Sequence, residues 1–268
     1  MDTEHILEKG SGRINEDALV MEENMFGVFD GATSLDRTLF DGCKTGGMLA
    51  SSTACSVFAK NGFPLAKLAR IANREIGETM RFHGVDGSAR ERLWSTSAAV
   101  ARVEDQSLEW VQAGDAAIVL IYKDRSHKVL VDQPDHDYET LSIWKKMAST
   151  SQVTIGEALA EQIKKTRQGM NRSYGVLNGE RRAEGFIHSG VESLDKVTDI
   201  LLFTDGLQLP STTPTPRKGF DDLVRHYLSL GLSGLRDRIR RVEKKDPLCR
   251  EYPRFKCHDD IAAISIRL

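Results

Sequence analysis

Phe26-Gly27-Val28-Phe29-Asp30-Gly31 and Ile200-Leu201-Leu202-Phe203-Thr204-Asp205-Gly206 are the stretches on which the reading of this chain turns. Each is an apolar run of strand length, and each ends on Asp-Gly. Four Asp-Gly pairs occur, and a tight turn explains Asp41-Gly42 and Asp86-Gly87. Asp30 and Asp205 differ because they stand at the mouth of a buried strand. A carboxylate there is costly unless something cationic compensates it.

Working outward, other acids hold similar places. Asp17, in Asn-Glu-Asp, precedes the apolar run 18–21, and Asp259-Asp260 precedes the closing run IAAISIRL, residues 261–268. Asp115 interrupts a strand-like region beside Gly114. Carboxylates gathered from several strand ends repel one another unless a divalent ion sits among them. Hard oxygen donors without a nearby Cys favour Mg²⁺ or Mn²⁺ over zinc. A pair of such ions activates water and neutralises phosphate oxygens, the chemistry of phosphoryl-ester hydrolysis. Taken singly, each acid is also explained by an ordinary strand-end turn. Two His-Asp pairs, His136-Asp137 and His258-Asp259, raise a helical His-Asp phosphohydrolase as a rival, but the second runs straight into a β-type stretch.

The rest of the pattern surrounds these runs with helices and more strands. Residues 18–21 and 25–29 flank Glu22-Glu23-Asn24 as a hairpin, and the Ala/Ser/Gly-rich segment 38–59 reads as a packed helix. Pro64 opens a second helix through residue 82, with Leu65, Leu68, Ile71, Ala72 and Ile76 at helical spacing. Strand patterns return over 95–105, 107–124 and 128–133. Residues 139–166 read as helical, 185–191 and 198–203 as strand, 220–230 and 233–244 as two helices, and 260–268 as a last strand. No repeat and no linker divides the chain; the Pro-rich segment 210–216 is a loop. One α+β domain over residues 1–268 is the economical expectation.

Composition bounds the function. The 268 residues carry 39 Asp and Glu against 37 Lys and Arg, a net charge of -2, so no basic field predicts nucleic-acid binding. No apolar run approaches the roughly 20 residues that span a bilayer, and the first residues are no signal peptide, so a cytoplasmic location without membrane attachment is expected. Four cysteines form no disulfide framework: Cys43 and Cys55 are expected as buried helix residues, and Cys249 and Cys257 lack zinc-site spacing. Trp94, Trp110 and Trp144 are expected in packing, and the basic run 236–245 on a solvated helix face.

The ordered set of motifs resembles the metal-dependent protein phosphatases of the protein phosphatase 2C (PP2C, PPM) family, as a compact, divergent bacterial-type member. The matching pieces are Asn15-Glu16-Asp17-Ala18, the Phe26–Gly31 run, Ser95-Thr96-Ser97-Ala98, Ala113-Gly114-Asp115, Asp135-His136, the run from Leu201 through Asp205-Gly206 to Leu207, and His258-Asp259-Asp260-Ile261. They occur in the family's order from near residue 10 to the C-terminus. The resemblance implies a four-layer α-β-β-α sandwich with a metal site at one end of the β-sandwich. It implies two Mg²⁺ or Mn²⁺ ions, with Asp30 bridging them, the Gly31 carbonyl on one, and Asp205 and Asp259 on the other. Glu16 and Asp17 act mainly through water around the ions, and Asp115 with Asp205 holds a third, weaker ion. Asp30, Asp205 and Asp259 are thus the implied catalytic residues. The implied activity is hydrolysis of Ser/Thr phosphate in a phosphorylated protein, in bacterial signalling, by a monomer.

The departures are specific. Where the family commonly has Asp-Gly-His-Gly-Gly, this chain has Asp30-Gly31-Ala32-Thr33-Ser34, so the histidine often assigned as proton donor is Ala32. The phosphate-binding arginine falls on Gly12, with Arg13 next to it, and Arg13 is carried as the substrate-binding residue. The Arg that follows Gly-Asp-Ser in many relatives is Ala117. His136 is left structural. Residues 168–182 fall where the family carries a mobile flap, which brings Arg167, Arg172, Arg181 and Arg182 into consideration for substrate contact. A catalytically impaired binding module, or a phosphatase of a small phosphorylated metabolite, is the alternative.

Overall fold

Antiparallel pairing in two sheets organises the chain. The computed structural model describes residues 1–35 and 38–268. Its strands are β1 (Asp2–Glu8), β2 (Ala18–Met21), β3 (Met25–Gly31), β4 (Thr96–Glu104), β5 (Ser107–Ala113), β6 (Ala117–Tyr122), β7 (His127–Val129), β8 (His188–Ser193), β9 (Val197–Phe203) and β10 (Ile261–Arg267). One sheet runs β1-β10-β9-β6-β7 and the other β2-β3-β4-β5-β8. The helices are α1 (Gly46–Phe58), α2 (Leu65–Phe82), α3 (Tyr138–Met147), α4 (Ile155–Ala158), α5 (Ala160–Gln168) and α6 (Asp221–Lys245), the last kinked at Gly231.

The period-two alternation of the strands decides the layers. Phe26, Val28, Ala99, Ala101, Ile118, Leu120, Ile200, Leu202 and Ile264 pack together between the sheets. The alternate residues face outward onto helices. Phe29, Val100 and Val111 meet α1 and α2 through Leu49, Val57, Leu68 and Ile76. Val119, Leu201 and Phe203 meet α6 through Leu223, Leu235 and Ile239. The central strands read as continuous apolar runs because both faces are covered. The result is the expected α-β-β-α stack, with α3–α5 forming a separate cluster around Trp144, Ile155 and Leu159. Among the described residues no helix is long and apolar enough to cross a membrane.

Three expectations are corrected, and one strand appears that none of them covered. Residues 2–8, DTEHILE, form an edge strand that no periodicity announces, because Ile6 is their one buried side chain; β1 is defined by its full ladder with β10. The helix expected from residue 38 starts only at Gly46. Residues 40–44 turn back on themselves, with Asp41 and Gly42 at positive φ and Phe40 bridged to Lys44, which leaves Cys43 exposed rather than in a helix. The run 107–124 is two strands in different sheets, split at Gly114-Asp115-Ala116. The basic face of α6 is not merely solvated. Arg236 and Arg240 both pair with Glu8, the latter at 2.7 Å, and Arg240 Nη2 donates to the Asp259 carbonyl at 2.7 Å.

Gly114 makes the crossover between sheets. Its φ is +77°, and a Cβ built there would lie 2.5 Å from the Ser97 Cβ. Gly114→Ala therefore carries both a backbone penalty and a clash, and is expected to cost about 2 kcal/mol or more. A thermal midpoint lowered by roughly 4–8 °C would agree with this. An unchanged midpoint would show that the crossover tolerates a side chain.

Candidate metal centre

Strand register brings the acids to one end of the sandwich. Asp30 is the penultimate residue of β3 and pairs with Ser97 at the start of β4, while Ala18 opposite Phe29 sets Asp17 alongside it on the neighbouring strand. In the other sheet Phe203 pairs with both Ala263 and Ala117. Asp205 after β9, Asp259 and Asp260 before β10, and Asp115 before β6 therefore lie at matching ends. The Asp30, Asp115, Asp205 and Asp259 side chains line one cleft together with Gly31, and with His136, Arg167 and Lys256.

Each carboxylate is held differently. Asp17 is buried and accepts a hydrogen bond from Thr204 Oγ1 at 2.7 Å. Asp259 pairs with Lys256 Nζ at 2.7 Å and accepts the Asp260 amide at 2.9 Å. Asp260 faces away from the cleft's chemistry: its two oxygens take the Gly10 amide at 2.7 Å and the Glu16 amide at 2.9 Å, pinning the N-terminal loop to the last strand. Glu16 is buried, bonded to the hydroxyls of Thr33 and Thr45. Thr45 also caps α1 by accepting the Met48 amide at 3.2 Å. Glu16 thus locks the loop after Asp30 to the start of α1. Gly31 permits this approach, since a Cβ there would lie 2.3 Å from the Glu16 carbonyl oxygen.

Asp30 and Asp205 receive no hydrogen bond at their carboxylates from any described residue. Burial, then the charges of Asp205, Asp17, Asp115 and Asp259, push the Asp30 carboxyl well above the usual range. Asp17 is raised likewise by burial and by its acidic neighbours, against the Thr204 hydrogen bond. Burial with Asp259 and Asp115 pushes Asp205 up to about 8, against the opposing pull of Lys218 and Lys256. Asp115 is the exception. Burial works against its charge, but His136, Lys218 and a hydrogen bond from Ser97 outweigh it and hold the carboxyl below its usual value.

The donors fit hard divalent ions: aspartate oxygens and a backbone carbonyl, with no thiol lining the cleft. Among the described residues no three His, Cys, Asp or Glu side chains stand close enough to hold an ion as they are. They border the cleft rather than meet at a point, as like charges do. Arg13 lies exposed at a bend and is not among the residues lining the cleft. Arg172, Arg181 and Arg182 are also exposed and outside it, whereas Arg167 lines it. His136 lines it too, stacked on Tyr174 at 4.0 Å between ring centres. Lys218 and Lys256 carry no signal in the sequence, since each sits in a loop with no periodic pattern.

The sequence profile described as Protein phosphatase 2C matches residues 8–242. The chain belongs to the protein phosphatase 2C family. Among curated protein sequences none matches the chain. Solved structures share its fold at low identity. The serine/threonine phosphatase Stp1 from Staphylococcus aureus superposes with a TM-score of 0.60 at 17% identity, covering 100% of this chain and 94% of that one. Serine-threonine phosphatase 2C from Toxoplasma gondii gives 0.61 at 12%, covering 99% and 94%. The catalytic domain of the phosphatase PstP, in complex with two manganese ions, gives 0.59 at 14%, covering 98% and 96%. Asp30, Asp205 and Asp259 of this family member thus stand in a fold shared with a manganese-bound structure.

The titration of Asp205 has a definite sign. Unfolded, its carboxyl has the ordinary value of 3.8, and folded it is raised to about 8. The folded chain binds the extra proton between those limits, so its stabilising effect is full at the low end and is lost as pH rises through about 8. The metal-free protein should therefore lose thermal stability as pH rises across that window. Mn²⁺ competes with these protons and should raise the midpoint more at the alkaline end than at the acidic end. A midpoint that climbs with pH in metal-free protein, or a Mn²⁺ shift equal at both ends, would count against a buried acidic centre.

Proposed function

We propose that this chain is a Mg²⁺- or Mn²⁺-dependent phosphatase that removes phosphate from serine and threonine in proteins, working as a cytoplasmic monomer. The observation that carries the reading is the pair Asp30 and Asp205: half-buried carboxylates with no hydrogen-bond partner among the described residues, set among other acids at one end of the sandwich. Membership of the family, and neighbours whose names specify serine/threonine phosphatases, support the same reading.

Two divalent ions held here supply an acidified water and neutralise the charge on the phosphate oxygens. Asp30, Asp205, Asp259 and the Gly31 carbonyl are the groups placed to hold them, with Asp17 behind and Asp115 toward a third. The remaining residues set geometry. Glu16 fixes the loop 31–33 against α1, Asp260 fixes the approach of residues 10–16, and Thr204 orients Asp17. Arg240 anchors the backbone of Asp259 from α6. A phosphate entering the cleft meets Asp30, Asp115, Asp205 and Asp259 together with Arg167 and Lys256.

Ala32 lines the same cleft and has no proton to give. A leaving alkoxide from serine needs protonation more than a leaving nitrophenolate does, so the chain should turn over p-nitrophenyl phosphate faster than a phosphoserine peptide. With millimolar Mn²⁺ both should be hydrolysed, and Asp205→Asn should lower kcat about a hundredfold or more. Absence of turnover on both substrates with Mn²⁺ and Mg²⁺ would reject the enzyme. If metal still bound, the same result would favour a binding module that has kept the fold.

A further inference from the structure

We propose that Arg167 is the side chain that grips the substrate's phosphate, an assignment that rests on the phosphatase reading above. The motif comparison carries Arg13 for this role, yet Arg13 is exposed at a bend, and no hydrogen bond or ion pair from a described residue joins it to the cleft. Four other Lys and Arg side chains border the acidic cleft and its adjoining groove: Lys218, Arg254, Lys256 and Arg167.

Three of the four are already committed, Arg254 to Asp246 at 3.0 Å. Lys256 Nζ is 2.7 Å from Asp259 Oδ1 and compensates that carboxylate. Lys218 lines the adjoining groove with Asp135, Asp137 and Asp205, and lines a second pocket with Asp115. It therefore neutralises the acids on that side. Arg167 is different. Among the described residues no carboxylate pairs with it, and Nη2 donates to the Thr33 carbonyl at 2.6 Å. Thr33 follows Asp30-Gly31-Ala32 in the loop that Glu16 locks in place, so the tether sets the guanidinium beside the candidate metal ligands. One bond to Thr33 leaves most of the guanidinium's N–H donors unspent, in a planar fork that suits two oxygens of a phosphomonoester dianion. The tether also reduces the rotamer entropy that a free arginine loses on binding.

The position on the chain is informative. Arg167 lies in the last turn of α5, which belongs to the small cluster of α3–α5 and not to either sheet. Its cation reaches the cleft from that cluster and not from a strand end, so metal ligands and phosphate ligand come from different parts of the fold. Removing it should weaken phosphate binding without disturbing the acids.

The test is a calorimetric titration of inorganic phosphate into the Mg²⁺-loaded protein, which needs no turnover. Arg167→Ala should weaken phosphate binding about tenfold or more. Arg167→Lys, which keeps the charge and loses the fork, should fall between it and wild type. Arg13→Ala should stay within about twofold of wild type, as an exposed charge outside the cleft would. Mn²⁺ affinity of Arg167→Ala should equal that of wild type, showing an intact centre. Wild-type phosphate affinity in Arg167→Ala, a loss as large in Arg13→Ala, or no phosphate binding by wild type would each overturn the assignment. Phosphate binding that depends on Arg167 in a protein that turns over no p-nitrophenyl phosphate would support it while refuting the phosphatase reading.

Discussion

Repulsion among carboxylates at one end of a β-sandwich is the constraint around which this protein is built. Asp17, Asp30, Asp115, Asp205 and Asp259 arrive from both sheets, and the register of the strands brings them to the same end. The fold offsets the repulsion in part with fixed cations, Lys256 against Asp259 and Lys218 toward Asp115 and Asp205. Among the described residues it leaves Asp30 and Asp205 without a hydrogen-bond partner, and burial with the neighbouring acids pushes their carboxyls above the usual range. Divalent ions are the natural complement to that deficit, because they supply charge where the chain supplies oxygen.

A second tier of contacts keeps the arrangement from relaxing. Glu16 and Asp260 are acids whose oxygens are spent on hydroxyls and backbone amides, so they act as braces. Arg240 reaches from α6 to the Asp259 carbonyl and to Glu8 of the edge strand, so the outer helix layer supports the site as well as the core. The same layer therefore serves packing and function. The helix α5 presents Arg167 to the cleft without contributing to either sheet, which separates the part of the molecule that would meet the substrate from the part that holds the charge.

Much of this was legible in the chain itself, and the reason is physical. An apolar strand that ends in Asp-Gly, at 30 and again at 205, is a feature that packing alone does not favour, and both residues lie in the cleft. The order of the motifs carried the family, and the periodicity carried the helices and inner strands, whose two faces are both buried. Residues 2–8 were silent because an edge strand with one buried side chain has no alternation to read. The break at Gly114 was hidden inside a continuous β-rich run, since a sheet crossover needs only a glycine at positive φ. Cys43 was misjudged because Ala, Ser and Gly suit a packed helix and a turn equally. Lys218 and Lys256 are beyond pattern, as their neighbours in space come from distant loops, and Arg167 is one of four flap arginines that sequence alone does not separate.

The central claim is that these aspartates form a site for divalent ions. It is tested most directly by titrating Mn²⁺ into metal-free protein by calorimetry near neutral pH, in buffers of different ionisation enthalpy. The account predicts that two ions bind with release of protons, because Asp30 and Asp205 give theirs up, and that Asp30→Asn loses the tight binding. Saturable binding that is identical in Asp30→Asn, or no binding by the wild-type chain, would contradict it.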